Sequence, residues 1–212
     1  MKRSIITGVL LLGVASVLAQ GTINYNNRQS DVDARIYGPL GPGDTTAITG
    51  QSPTGIPPGT TDYGGRPFLA GAGYYAELWA GPANSPEGSL APVPGTLTTF
   101  RTGGFAGYFV PSPLAIPIPG VPPGSVATLQ LRVWENLGQT VSDWAAAEAR
   151  WLRGELAAGK SPLFQSLPLG GGIFVPANLV GLQSFNIYYI PEPGTLALLG
   201  LGALGLMIFR RK

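Results

Sequence analysis

Residues 125–135 read "SVATLQLRVWE". Ala127, Leu129, Leu131 and Val133 fall on one side of an extended chain, and Thr128, Gln130, Arg132 and Trp134 fall on the other. The alternation predicts a half-buried strand whose aliphatic side faces a core. Working outward, "YYAELWA" (74–80) repeats the pattern, with Tyr74, Ala76 and Leu78 opposite Tyr75, Glu77 and Trp79. "SFNIYY" (184–189) sets Phe185, Ile187 and Tyr189 inward against Ser184, Asn186 and Tyr188. Shorter strands are predicted at "TINYNN" (22–27), "ARIYG" (34–38), "TLTTFR" (96–101) and "GYFV" (107–110).

What lies between these runs is rich in turns. Gly (32) and Pro (21) together make up a quarter of the 212 residues, while 8 Tyr, 8 Phe and 4 Trp supply enough aromatic bulk for a core. Charged residues are only 11% of the chain, well under a typical ~25%. Short strands separated by Gly/Pro loops predict a mainly β protein, a β-sandwich of jelly-roll type. Residues 38–73 form the longest irregular stretch, expected to be a surface loop or a poorly ordered insertion. "SPLAIPIPGVPPGS" (112–125) alternates Ile with Pro and reads as an extended edge. One segment departs from the pattern. "SDWAAAEARWLRGELAAGK" (142–160) predicts a single inserted helix, Trp144 to Ala158, with Ser142 or Asp143 as N-cap and Gly159 as C-cap. Trp144 and Trp151 are expected to anchor that helix on the sheet edge.

The two ends are of another kind. "MKRSIITGVLLLGVASVLAQG" has a basic start at Lys2 and Arg3 and an apolar run from Ile5 to Val17. Small residues then lead to a cleavage point between Ala19 and Gln20, the pattern of a secretory signal peptide read by signal peptidase. At the other end, Thr195 to Phe209 is a fifteen-residue run without a charge. As a helix it would reach roughly 22 Å at ~1.5 Å per residue, short of a ~30 Å hydrocarbon core. Arg210, Arg211 and Lys212 follow it and would snorkel to the cytoplasmic headgroups. That orientation leaves the rest of the chain on the outer side of the inner membrane. Before the run, Pro191 and Pro193 hold Glu192 in extended backbone, open to an enzyme.

Pro191-Glu192-Pro193, the apolar run and the terminal basic cluster resemble, in order and position, the PEP-CTERM sorting signal. Ile190 and Gly194 depart from residues the family often uses at those positions. The resemblance implies that the tail is a substrate of an exosortase-like transpeptidase. That enzyme would cut near the motif and pass the protein from a transient inner-membrane form to the cell surface or exopolysaccharide matrix. "GTINYNNR", "YYAELWAGP", "FRTGGFAGYF" and "LVGLQSFNIYYIPEP" also resemble segments of PEP-CTERM envelope proteins. The expected division is a signal peptide (1–19), a β-rich exported domain (20–190) and a sorting signal (191–212).

Once the ends are set apart, the body from Gln20 to Ile190 holds eight cations and ten carboxylates, so the basic balance belongs to the targeting segments. No nucleic-acid patch is expected. The chain has no Cys, hence no disulfide and no thiolate, and no His, the usual base near neutral pH. No cofactor or metal is expected, and the acids show no spacing that marks a catalytic pair. Asp31 and Asp33 form a D-x-D that reads first as a solvated turn and second as a calcium ligand pair. Tyr75, Trp79 and Trp134, opposite the aliphatic faces, are candidate glycan-stacking residues. The expected function is a non-enzymatic surface or matrix protein. A glycan-binding module is the alternative, and a surface glycoside hydrolase is a third.

Overall fold

In the computed structural model, residues 20–191 are described. The predicted signal peptide through Ala19, and Glu192, Pro193, the apolar run and the terminal cations, lie outside them. In chain order the strands are β1 (Gly21–Ile23), β2 (Arg28–Gln29), β3 (Val32–Asp33), β4 (Ile36–Tyr37), β5 (Tyr74–Pro82), β6 (Ala91–Pro92), β7 (Ile116–Ile118) and β8 (Ala127–Glu135). Helix α1 (Trp144–Trp151) follows, then β9 (Ala158–Lys160), β10 (Phe164–Gln165) and β11 (Phe185–Asn186).

The run quoted above is the spine. β8 pairs antiparallel with β5 along all nine residues, from Tyr74 opposite Glu135 to Pro82 opposite Ala127. Its other edge is covered by β9 and β10, with β6 beyond β5. β9 and β10 are separated at Ser161-Pro162-Leu163, because Pro162 has no N–H for a ladder. Ser161 bridges the gap: its N–H donates to Leu131 O (2.9 Å) and its Oγ accepts from Leu131 N (3.0 Å). Three two-stranded pairs complete the ladders: β1 with β7, β2 with β3, and β4 with β11, the last parallel. β7 is the extended segment read from the Ile-Pro alternation. Its Pro117 is exposed between buried Ile116 and Ile118.

Parity is confirmed, but half-burial is not. The inner side chains of β5 and β8 join one apolar cluster with Ile23, Ile36, Phe109, Ile118, Leu179 and Phe185. The outer side of β8 is buried too, Trp134 beneath α1 and Thr128 against Pro82, Ser85 and Gln165. Trp134 packs there with Val141, Trp144, Ala147, Trp151 and Leu156. Four edge-to-face contacts run Tyr75–Trp134–Trp144–Trp151–Tyr188, with centroids 5.1–6.0 Å apart. Each such pair contributes ~0.5–1.5 kcal/mol beyond area burial. Trp134 and Trp151 donate their indole N–H to Val141 O and Tyr188 O. The two helix tryptophans therefore anchor α1 as expected.

The helix is shorter than the sequence suggests. Asp143 caps it, accepting from Ala146 N at 2.9 Å. It stops at Trp151 because Gly154 adopts φ +73°, a left-handed geometry that a helix interior cannot contain. Ala158 and Gly159, predicted as the last helical residue and the cap, belong instead to β9. A Cβ on Gly159 would come within 2.6 Å of Asn186 O, so the closeness of the next segment requires glycine there.

Residues 38–73 are organised by side chains in place of a ladder. Asp44 accepts from Leu40 N and Thr46 N, and its two carboxylate oxygens both accept from Arg66 Nη2, at 2.9 and 2.8 Å. Both side chains of that ion pair are nearly sealed, at 5% and 9% exposure. Tyr63 stacks on Tyr37 at 3.8 Å, and Gln51 ties Asp33 O and Ile56 O to Ser184 N. Burial alone would raise the Asp44 pKa, but the backbone N–H groups of Leu40 and Thr46 and the Arg66 charge carry it below the usual carboxylate value. A depressed folded pKa contributes stability that is present above the unfolded value of ~3.9 and is lost as pH falls through the folded one. Asp44→Ala should cost about 3 kcal/mol in urea denaturation, since it leaves Arg66 buried and uncompensated. In wild type the acid-side loss should begin only below about pH 4; in the variant that component should be missing.

Both ends of the body are flush with the fold. Gln20 is exposed, and the next residue, Gly21, already donates to Val121 O at 2.7 Å. At the other end Tyr188 exchanges two hydrogen bonds with Ala158, and Tyr189 N donates to Asp44 O. Ile190 packs on the tryptophan cluster, and Pro191 is exposed.

Candidate functional site

The register of β5 on β8 sets the outer-face chemistry. Tyr75 stands opposite Trp134, Glu77 opposite Arg132, and Trp79 opposite Gln130. Arg132 lies under the N-terminal turn of α1, 6% exposed. Its guanidinium sits 3.7 Å from the Trp79 ring centroid and 5.3 Å from that of Trp144. Arginine suits this place because its flat, weakly hydrated head stacks on aromatic faces. Arg132 Nε donates to Gln130 Oε1 at 3.0 Å. Among the described residues no carboxylate comes within 4 Å of the guanidinium, and its terminal amino groups have no hydrogen-bond partner.

Above it opens a cleft of about 370 Å³, walled by Trp79, Leu90, Arg132 and Trp144, with Glu87 and Glu148 on its rim. Glu87 comes from the 3₁₀ turn Glu87–Ser89, and Glu148 from α1. Lys160 of β9 links them, donating to Glu87 Oε1 at 2.6 Å and standing 3.7 Å from Glu148 Oε1. Burial would raise the Glu87 pKa, but the Lys160 hydrogen bond and the positive charges of Lys160 and Arg132 bring it below normal. Glu77, beside the cleft, shifts the other way. Burial raises it more than the Trp79 Nε1–H bond (2.8 Å) and the Arg132 charge lower it. Burial also lowers Arg132, against the pull of Glu87, Glu148 and Glu77.

Of the three candidate stacking aromatics, only Trp79 lines this cleft. Trp134 is fully sealed under α1, and Tyr75 lies half-buried against it. Parity alone put all three outward; α1, which follows β8 after an eight-residue turn and folds back, seals Trp134, and Tyr75 packs on Trp134. Arg132, Glu87 and Glu148 were not singled out from sequence. The available signal was a cation at an outward position between a strand and a helix that each carry a tryptophan, Trp79 before it and Trp144 after it. Asp31 and Asp33 separate rather than converge: Asp31 accepts from Asn178, and Asp33 accepts from Tyr108 OH at 2.7 Å. Among the described residues no three acidic side chains gather as a metal site. No helix among them is long and apolar enough to cross a membrane. Of the predicted processing residues, Gln20 and Pro191 are described and both are exposed. Ala19, Glu192, Pro193, Arg210, Arg211 and Lys212 lie outside the described residues.

No curated protein and no solved structure matches the chain. Residues 190–212, however, match a protein-family model. The chain is an exported protein sorted through its C-terminus to the cell surface. The matched family is the PEP-CTERM protein-sorting motif, so the chain carries the domain its closing residues resemble.

Proposed function

We propose that the chain is a non-catalytic interaction protein of the cell surface or extracellular matrix. Its signal peptide is cut between Ala19 and Gln20. Its tail holds it briefly in the inner membrane, and an exosortase-like transpeptidase then transfers it. The observation that carries this reading is the sorting motif at 190–212, joined without a spacer to a packed body. The five-stranded sheet and the short pairs share one apolar cluster, which supports an open two-layer sandwich as the delivered unit. Without Cys or His, the body lacks a thiolate nucleophile and the usual base near neutral pH. A glycoside hydrolase is less well supported: a general acid needs a raised pKa, Glu87 in the cleft lining is pulled down, and Glu77, whose pKa is raised, does not line the cleft.

The test is a chain ending at Ile190, carrying an epitope after Gly138. That turn is exposed, and a side chain at Gly138 would meet nothing within 4 Å of its Cβ. The truncated body should be exported, folded and soluble, and should be lost from the surface fraction. Surface display equal to that of the full chain would refute the reading.

The alternative of a glycan-binding module is favoured by one observation, the Trp79–Arg132 stack at the mouth of the cleft.

A further inference from the structure

We propose that the cleft between Trp79, Arg132 and Trp144 is a binding site for one or two units of a neutral saccharide. This deepens the interaction role given above and rests on it. Four features of the cleft lead to this ligand class.

The first is a donor without a protein partner. Arg132 is more than nine-tenths buried, yet its terminal amino groups have no partner among the described residues. They are not among the buried polar atoms cut off from solvent, whereas Trp144 Nε1 is. They therefore reach solvent, and Arg132 lines the cleft. A buried guanidinium with free N–H groups calls for an acceptor.

The second is the charge around it. Glu87 and Glu148 flank the opening, and Lys160 spans them. A phosphate or carboxylate ligand would gain from Arg132 but meet two rim carboxylates. A cation would gain from the rim but meet Arg132 and Lys160. A hydroxyl both accepts from the guanidinium and donates to the carboxylates, so a neutral polyol satisfies both.

The third is the wall. Trp79 is half-buried and borders the cleft. An indole beside polar groups suits a sugar ring, which has apolar C–H faces and a polar edge. The fourth is size. At about 370 Å³ the cleft lies at the small end of the ~300–1,000 Å³ of ligand pockets. It has room for a ring or two and not for a nucleotide cofactor.

The test uses full-length protein in a detergent without a sugar headgroup. Maltose, cellobiose and lactose are titrated by calorimetry and tryptophan fluorescence, with digalacturonate and inorganic phosphate as charged probes. At least one neutral disaccharide should bind saturably in the millimolar range and more tightly than either charged probe. Ala145 is exposed on α1 and borders the cleft. Ala145→Leu fills the mouth without touching the core and should weaken binding at least tenfold with an unchanged circular dichroism spectrum. Arg132→Lys should do the same through loss of the stacked fork; should that variant fail to fold, Ala145→Leu decides. No saturable response to any neutral disaccharide overturns the proposal. So does tighter binding of digalacturonate or phosphate, or binding that survives Ala145→Leu. These readouts use purified protein, so a failure here leaves surface sorting untouched, and a failure of sorting leaves binding measurable.

Discussion

Leu131→Asp should abolish the folded state. Leu131 is fully buried at the middle of β8, between Leu78 across the ladder and the bridging Ser161. A carboxylate there has no partner, and an unpaired buried charge costs several kcal/mol even after it neutralises. A domain has ~5–15 kcal/mol to lose. Circular dichroism and urea titration should show an unfolded chain at 25 °C. Thr128→Asp tests the second buried face. Thr128 is 1% exposed; its hydroxyl donates to Pro82 O and accepts from Ser85 N, both at 3.1 Å. An acid there loses the donor and adds a charge, so it too should be severely destabilising. A Thr128→Asp protein as stable as wild type would mean that the outer face of β8 is open to water.

Glu192→Ala should leave the protein full-length in the inner membrane. The apolar run and the cations that hold it are unchanged, while the carboxylate between the two prolines is gone. If the sorting enzyme reads that carboxylate, processing stops at this stage. Neutralising Arg210, Arg211 and Lys212 together should act differently. Without the basic flank the run loses its cytoplasmic stop, so the chain should not accumulate in the membrane as a full-length form. Both variants should lose surface display by an order of magnitude or more. Fractionation and blotting of chains tagged after Gly138 separate the two outcomes. Wild-type processing of Glu192→Ala would reduce the tail to an anchor.

The parts of this molecule visible in the sequence are those governed by local rules. Alternation over 74–80 and 125–135 located the two long strands and their facing, because period two belongs to the backbone itself. The tail was legible for the same reason, its three parts being contiguous. The outer-face burial was not, since it depends on α1 folding back over a strand that precedes it. The helix end was misplaced because the alanines around 157–158 favour helix locally, yet Gly154 turns left-handed and Ala158 pairs with Tyr188 as strand. The cleft was hidden because Glu87, Arg132, Glu148 and Lys160 come from four separate elements. No spacing rule joins them.

The flush C-terminal strand has a consequence for the order of events during export. A chain crossing the membrane from its N-terminus presents residues 184–190 last of all the body. Until they emerge, the free edge of β9 at Ala158 has no partner, Trp151 Nε1–H has no acceptor, and the side chain of Gln51 lacks Ser184. An unpaired strand edge invites other chains and proteases. These contacts should therefore form last, and the segment that makes them is followed at once by the sorting motif. Chains broken off before residue 184 would carry neither the closing strand nor the signal. The last contacts of the body and the sorting motif thus lie on one continuous segment, so a chain truncated ahead of it should be neither closed nor sorted.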